Sequence, residues 1–281
     1  MARRDLKRRV EELLAYADVE IGGSRLWDIQ VDDERLYARV MAQGSLGLGE
    51  SYMDGWWDGD KLDEFFYRVL RARLEERVRP LSDGLRAVRA GLINLQRPSR
   101  AFEIGRRHYD IGNELYRCML DRRMTYSCGY WKDATTLDEA QEAKLDLVCR
   151  KLGLRPGMWV LDIGCGWGGA AQFAAERYGV AAVGITVSEE QVKLAREMCE
   201  GVFVIEDWHN FGTDCEETLM AWYRNFAAGW DRLSDRYDER FRRMWTNYLL
   251  SCAGSFRARK LQLWQIVLSP GGVAGGYLAL R

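Results

Sequence analysis

The chain has 281 residues, 47% of them hydrophobic and 30% charged, with 41 Lys and Arg against 42 Asp and Glu for a net charge of -1. That balance excludes collagen-like, low-complexity and wholly disordered classes, leaves ample length for a buried core, and argues against an overall nucleic-acid binder. Seven cysteines, odd in number, scattered and without a C-x-x-C pair, fit neither a disulfide framework nor a zinc ribbon, so no metal site is expected and a reducing cytoplasm is.

Met1 to Glu12 carries five basic residues but has Glu11 and Glu12 where an export signal needs an apolar run. The best uncharged apolar stretch, Gly179 to Val187, is far too short to span a bilayer, so any membrane role is expected to be peripheral. From Glu11 to Glu64 there are 14 acidic residues against four basic ones. Within this acidic stretch, the turn Gly55-Trp56-Trp57-Asp58-Gly59 offers tryptophans either to a core or to an interface.

The sign then reverses, with eleven arginines against four acids from Arg68 to Arg107. Leu74, Val78, Leu81, Leu85, Val88 and Leu92 follow steps of four and three, the period of one helical face. Pro80 predicts that one helix ends near Val78 and another starts around residue 80. Such a basic amphipathic stretch either packs its leucines on a protein core or lies on an anionic membrane surface. Gln96 to Ser99 reads as a linker.

Two motif stretches follow, Arg107-His108-Tyr109-Asp110-Ile111-Gly112-Asn113 and Met124-Thr125-Tyr126-Ser127-Cys128-Gly129-Tyr130-Trp131. Their hydroxyls, thiol and imidazole stand among aromatics, which suits a pocket holding a polar cofactor head against an apolar substrate. Val160-Leu161-Asp162-Ile163-Gly164-Cys165-Gly166-Trp167-Gly168-Gly169 is an apolar strand running into a glycine-rich turn, with a helix predicted over Ala170 to Tyr178. Glycines there let the backbone approach a nucleotide closely, though they also serve tight strand-to-helix turns. A second strand, Val180 to Val187, leads to a helix capped by Ser188 with Gln191. Thr186 stands where a dinucleotide enzyme would carry an acid for the ribose. Farther on, Thr213 with Glu216 predicts a capping box. Apolar stripes run through Leu219, Trp222, Phe226 and Trp230 and through Phe241, Trp245 and Leu249, and a last strand is expected over Leu261 to Leu268.

Together these motifs resemble the bacterial cyclopropane-fatty-acyl-phospholipid synthases and their mycolic acid relatives, in family order along nearly the whole chain. The resemblance extends to Gly44-Ser45-Leu46-Gly47-Leu48-Gly49-Glu50-Ser51-Tyr52 and Val204-Ile205-Glu206-Asp207-Trp208-His209-Asn210. It implies an α/β fold, an S-adenosylmethionine-dependent, Rossmann-like methyltransferase over residues 98–281 preceded by a helical, lipid-associated domain over 1–97. The implied activity transfers a methylene to a cis double bond of a phospholipid acyl chain. Tyr126, Ser127, Gly164, Gly166, Thr186 and Gln191 are the implied cofactor-binding residues, and the place of Asp162 just before the glycine turn adds it to the set. Cys128 is the implied catalytic one, helping to hold a bicarbonate that takes the departing proton. The implied partner is the phospholipid bilayer surface, met from the cytoplasm at the inner face of a bacterial membrane, with no nucleic acid; the sequence leaves the oligomeric state open, a homo-oligomer included.

One departure is large. After Gly201 the methyltransferase pattern should continue through three more strand units, roughly 90 residues, and the chain passes straight to Val202 to Asp207. The sheet is therefore expected to be incomplete. The skipped stretch carries the glutamate and histidine that help hold bicarbonate in the family, and Cys215 stands where a further site tyrosine is expected. The alternative to an active enzyme is a truncated remnant that binds lipid or cofactor only.

Overall fold

The computed structural model describes residues 3–74, 113–185, 203–270 and 272–281. In chain order the elements are α1 (Arg3–Ala15), β1 (Gln30–Val31), α2 (Arg35–Gln43), α3 (Ser45–Met53), β2 (Trp57–Asp58), α4 (Leu62–Arg71), α5 (Asn113–Met119), α6 (Leu137–Lys151), β3 (Trp159–Ile163), α7 (Gly169–Tyr178), β4 (Ala181–Ile185), β5 (Phe203–Asn210), α8 (Gly212–Ala228), α9 (Glu239–Arg257) and β6 (Trp264–Pro270). They fall into two compact units, Met1–Asn94 with Trp222–Leu261, and Leu95–Ala221 with Gln262–Arg281. Residues 222–261, which the sequence reading groups with the second domain, thus belong to the first unit. The boundary falls inside α8.

The first unit is helical around aromatic residues. Trp57 and Phe65 are fully buried with ring centroids 5.2 Å apart, each contributing on the order of 2–3 kcal/mol through burial. Trp57 Nε1 donates to Leu48 O at 3.1 Å, and Arg243 donates to Trp57 O at 2.7 Å. The double-tryptophan turn is therefore core at Trp57, while Trp56 lies half-buried beneath the Arg35 and Arg39 guanidinium groups. A Cβ on Gly254 of α9 would stand 2.8 Å from Asp63 O and from Phe66 Cβ, so glycine is what lets α9 meet α4 at this distance. Arg257 closes the contact onto Asp63 and Glu64 at 2.8 and 3.0 Å. Trp245 and Leu249 of the α9 stripe are core. The α4 helix ends at Arg71, and Arg73 takes a φ of +54°. The expected boundary at Val78 to Pro80, and the leucine stripe beyond Leu74, lie outside the described residues.

In the second unit, β3 and β4 are parallel, Trp159 to Ile163 against Ala181 to Ile185 in unbroken register, with α7 between them in sequence. Phe173 and Ala174 of α7 bury against Leu145 and Cys149 of α6 and against Val180, with Val160 packed on this cluster. The opposite face of β3 is bare: Trp159, Leu161 and Ile163 are 77%, 59% and 58% exposed. β5 and β6 form a separate antiparallel pair, Phe203 opposite Pro270 through Asn210 opposite Trp264. Among the described residues no strand joins the two pairs, the state expected of a doubly wound sheet that lacks its central strands. α8 begins at Gly212, whose N–H donates to Asn210 Oδ1 at 2.7 Å, so Thr213 lies inside the first turn and is not the cap. The last strand runs Trp264–Pro270, shifted toward the C-terminus from the expected span.

Candidate cofactor site

The site is built on α6. Thr136 caps this helix reciprocally with Glu139, fixing where its first turns point. One turn in, Gln141 Nε2 donates to Ser127 O at 2.7 Å and Lys144 Nζ donates to Ser127 Oγ at 3.0 Å. A spacing of three puts both side chains on one helical face, where they hold the Tyr126 to Cys128 stretch from below. Asp121 fixes the approach: its carboxylate accepts from Arg123 N, Thr125 N and Thr125 Oγ1 at 3.0, 2.7 and 3.1 Å. Tyr126 and Ser127 are left exposed beyond this turn.

The glycine-rich turn comes to the same place. Gly164, Gly166 and Gly168 have φ of +86°, +54° and +82°, and a Cβ at any of them would meet nothing within 4 Å. The glycines answer a backbone need, and they leave open space; a side chain at Gly166 would cost about 1–2 kcal/mol through its φ alone. Trp167 of this turn packs on Tyr116 at 4.9 Å, and Tyr116 packs on Tyr126 at 5.2 Å, a ring chain tying the two motif stretches together. At the end of β3, Asp162 is half-buried, and its Oδ2 is fully enclosed without a hydrogen-bond partner. Burial holds the Asp162 carboxyl above its ordinary range. Burial also pushes the Lys144 ammonium down to about 8, with Asp121, Cys128 and Asp162 opposing that shift.

Cys128 is buried on the other side of the Tyr126 to Trp131 loop. Its Sγ lies 3.2 Å from Gly129 O, 3.7 Å from Phe211 O and 4.0 Å from Thr218 Oγ1, within hydrogen-bond reach of Cys215. The Cys215 contact, then burial, drive its pKa far up, so the thiol stays protonated. Thr218 Oγ1 accepts from Gly129 N and Trp131 Nε1, both at 2.9 Å, and Asp214 accepts from Trp131 N at 2.8 Å. Deeper still, Lys151 Nζ lies 3.1 Å from both Asp207 Oδ2 and His209 Nδ1, and Arg281 forks onto Asp207 at 2.8 Å.

Tyr126 is thus tied to the glycine turn of Gly164 and Gly166 through the Tyr116 and Trp167 rings, Asp162 stands just before that turn and Ser127 is held on Lys144, whereas Cys128 packs apart from them among Phe211, Cys215 and Thr218. Thr186, Gln191 and the His108 motif lie outside the described residues. Sequence reasoning missed Gln141, Lys144, Asp214 and Thr218; the i, i+3 and i, i+4 spacings of the two pairs were the available signal. The unpartnered Asp162 oxygen, the uncrowded glycine turn and the exposed aromatic Tyr126 fit the ammonium, backbone-facing and apolar parts of an S-adenosylmethionine molecule.

A strand, a glycine-rich turn and a helix feeding a parallel neighbour define a Rossmann-like α/β fold. A coclaurine N-methyltransferase crystallised with SAH shares it with a TM-score of 0.59 at 17% identity, covering 79% of this chain and 98% of that one. A cyclopropane synthase from Mycobacterium tuberculosis matches with a TM-score of 0.50 at 23% identity, over 57% of this chain and 95% of that one. In sequence, the mycolic acid cyclopropane synthetase family model matches residues 96–202 and again 195–266. The cyclopropane-fatty-acyl-phospholipid synthase of Escherichia coli strain K12 is 42% identical over 356 aligned positions, 94% of this chain and 93% of that protein. The chain belongs to the mycolic acid cyclopropane synthetase family, and with it to the cyclopropane-forming, S-adenosylmethionine-dependent methyltransferases. The departure is equally plain: 356 aligned positions against 281 residues leaves at least 75 positions of the relative unmatched.

Proposed function

We propose that this protein transfers a methylene from S-adenosylmethionine to a cis double bond of phospholipid acyl chains, acting from the cytoplasm at the inner face of a bacterial membrane. The observation that carries this reading is the convergence of Tyr126, Ser127 and Asp162 on the glycine turn, in a chain so similar to a phospholipid-modifying relative. When bound, S-adenosylmethionine supplies an electrophilic sulfonium methyl. Gly164 and Gly166 let the backbone approach it, Asp162 takes its ammonium, and Tyr126 and Ser127 line its open side; Thr186 and Gln191 complete this set. An alkene is a poor nucleophile, so alignment in a dry pocket is the protein's main contribution to rate. Cys128, a neutral thiol with Cys215 beside it, would be one of the residues to hold a bicarbonate, which when bound would supply a base for the departing proton. Among the described residues no helix is long and apolar enough to cross a membrane, which is compatible with surface contact.

A second reading is favoured by the bare face of β3 and the unmatched positions of the relative: a protein that binds cofactor or lipid without turnover. One experiment separates the two. The purified chain is incubated with unsaturated phospholipid vesicles and methyl-labelled S-adenosylmethionine, and lipid masses are read. Labelled cyclopropane lipid is the expected product. No product from protein that melts cooperatively and binds S-adenosylhomocysteine overturns the enzymatic reading and leaves the second.

A further inference from the structure

Lys144 and Asp162 carry opposite charges in one neighbourhood, yet neither forms an ion pair among the described residues. The Lys144 ammonium has three N–H donors, and one is used on Ser127 Oγ at 3.0 Å. Asp121, the other carboxylate whose field Lys144 feels, has its oxygens engaged by the Arg123 and Thr125 backbone and the Thr125 hydroxyl. Asp162 Oδ2 is enclosed and accepts nothing. Holding a half-buried cation and a half-buried anion apart is unfavourable unless a ligand completes each. A ligand end bearing one carboxylate and one ammonium, an α-amino acid, does both at once.

We propose that Lys144 is a cofactor-binding residue, its ammonium and Ser127 Oγ together receiving the carboxylate of the amino-acid end of S-adenosylmethionine while Asp162 receives its ammonium. This rests on the cofactor reading above and deepens it. The depressed Lys144 pKa is in keeping with a cation that waits for its counter-charge. Gln141, one turn earlier on α6, fixes the Ser127 backbone, so the donor pair is held by a single helix face.

The test compares ligands as well as variants. Calorimetric titration of the full chain is run with S-adenosylhomocysteine, which has the amino-acid end, and with 5′-methylthioadenosine, which lacks it. In wild type the first binds at least tenfold more tightly. In Lys144→Met that preference collapses by about tenfold, a charge-assisted hydrogen bond having been lost, while methylthioadenosine affinity is unchanged. Lys144→Arg, which keeps the cation, retains most of the preference. Equal weakening of both ligands in Lys144→Met means a merely structural role and overturns the proposal. So does an unchanged preference, which leaves the cofactor reading intact; failure of wild type to bind either ligand overturns both. Where Lys144→Met does not melt cooperatively, wild type with decarboxylated S-adenosylhomocysteine decides: a tenfold loss is expected, and a loss under twofold refutes the assignment.

Discussion

The two units bury their apolar residues with unequal success. In the first, Trp57, Tyr37, Phe65 and Leu36 are almost wholly enclosed, and Arg243 and Arg257 finish the edges of the core with hydrogen bonds and ion pairs. In the second, α7 covers one face of β3 and β4 while Trp159, Leu161 and Ile163 point into water, with Val183 of β4 half exposed. The contrast follows from the missing positions. A helical unit loses nothing when strands elsewhere are removed, whereas a parallel sheet depends on layers supplied by the strand units that follow. What survives is the local strand-turn-helix-strand piece, which a single helix stabilises from one side, and that piece carries the motifs.

The largest expected effect sharpens this contrast from inside the second unit. Asp207 and Lys151 are both buried, and Arg281 adds a second cation to the same carboxylate, whose pKa the Arg281 contact holds well down. Asp207→Asn leaves Lys151 enclosed without its counter-charge and is expected to cost about 3–5 kcal/mol, read from the midpoint of urea unfolding. A loss below about 1 kcal/mol on that scale would mean that the β5–β6 pair is already loose. The corresponding change in the first unit is Gly254→Val. Its side chain meets Asp63 O and Phe66 Cβ at 2.8 Å, and overpacking of this kind costs about 1–3 kcal/mol. Thermal melting checks it; an unchanged Tm breaks the picture of a closed α9–α4 contact.

Acid separates the units as well. Burial, with the Lys151 and Arg281 charges, lowers the pKa of His209 from 6.5 to about 4. Between those values the unfolded chain binds the proton and the fold does not, so stability present above pH 6.5 is lost as pH falls toward 4. The chain has two histidines, His108 and His209, and the first unit contains neither. The acid-sensitive step should therefore belong to the second unit, be smaller than the Asp207 effect, and flatten in His209→Phe. Residue-level hydrogen exchange at pH 5 measures this, and protection lost first in the first unit would contradict it.

How much of this was readable beforehand depends on how local each feature is. The glycine turn, with Asp162 before it and a helix after it, is encoded by consecutive residues, and β3, α7 and β4 occur where the pattern puts them. The gap was visible as a missing continuation after Gly201. The start of α8 was misplaced because Asn210 and Thr213 are both good cap residues, and only the chain's exit from β5 chooses between them. Trp57 as core and Trp56 beneath two guanidinium groups depend on α2, α3 and α9 packing around one turn, which no local pattern encodes. Lys144 and Thr218 escaped for the same reason. Each lies on an ordinary helix face and acquires its meaning from a loop far away in sequence.

The smallest expected effect is the most informative about the bare sheet. In a doubly covered parallel sheet a leucine at the position of Leu161 is core, and truncating it costs about 2–5 kcal/mol. Here Leu161 is 59% exposed, its neighbours on that face are exposed too, and β-branched threonine suits the strand backbone. Leu161→Thr should therefore change stability by no more than about 0.5 kcal/mol, while lowering the fluorescence of a hydrophobic dye added to the native protein. The two readouts must move independently. A loss of 2 kcal/mol or more, on the scale of core truncations, would place Leu161 under cover in solution. The two units would then be equally well buried, and the contrast between them would disappear.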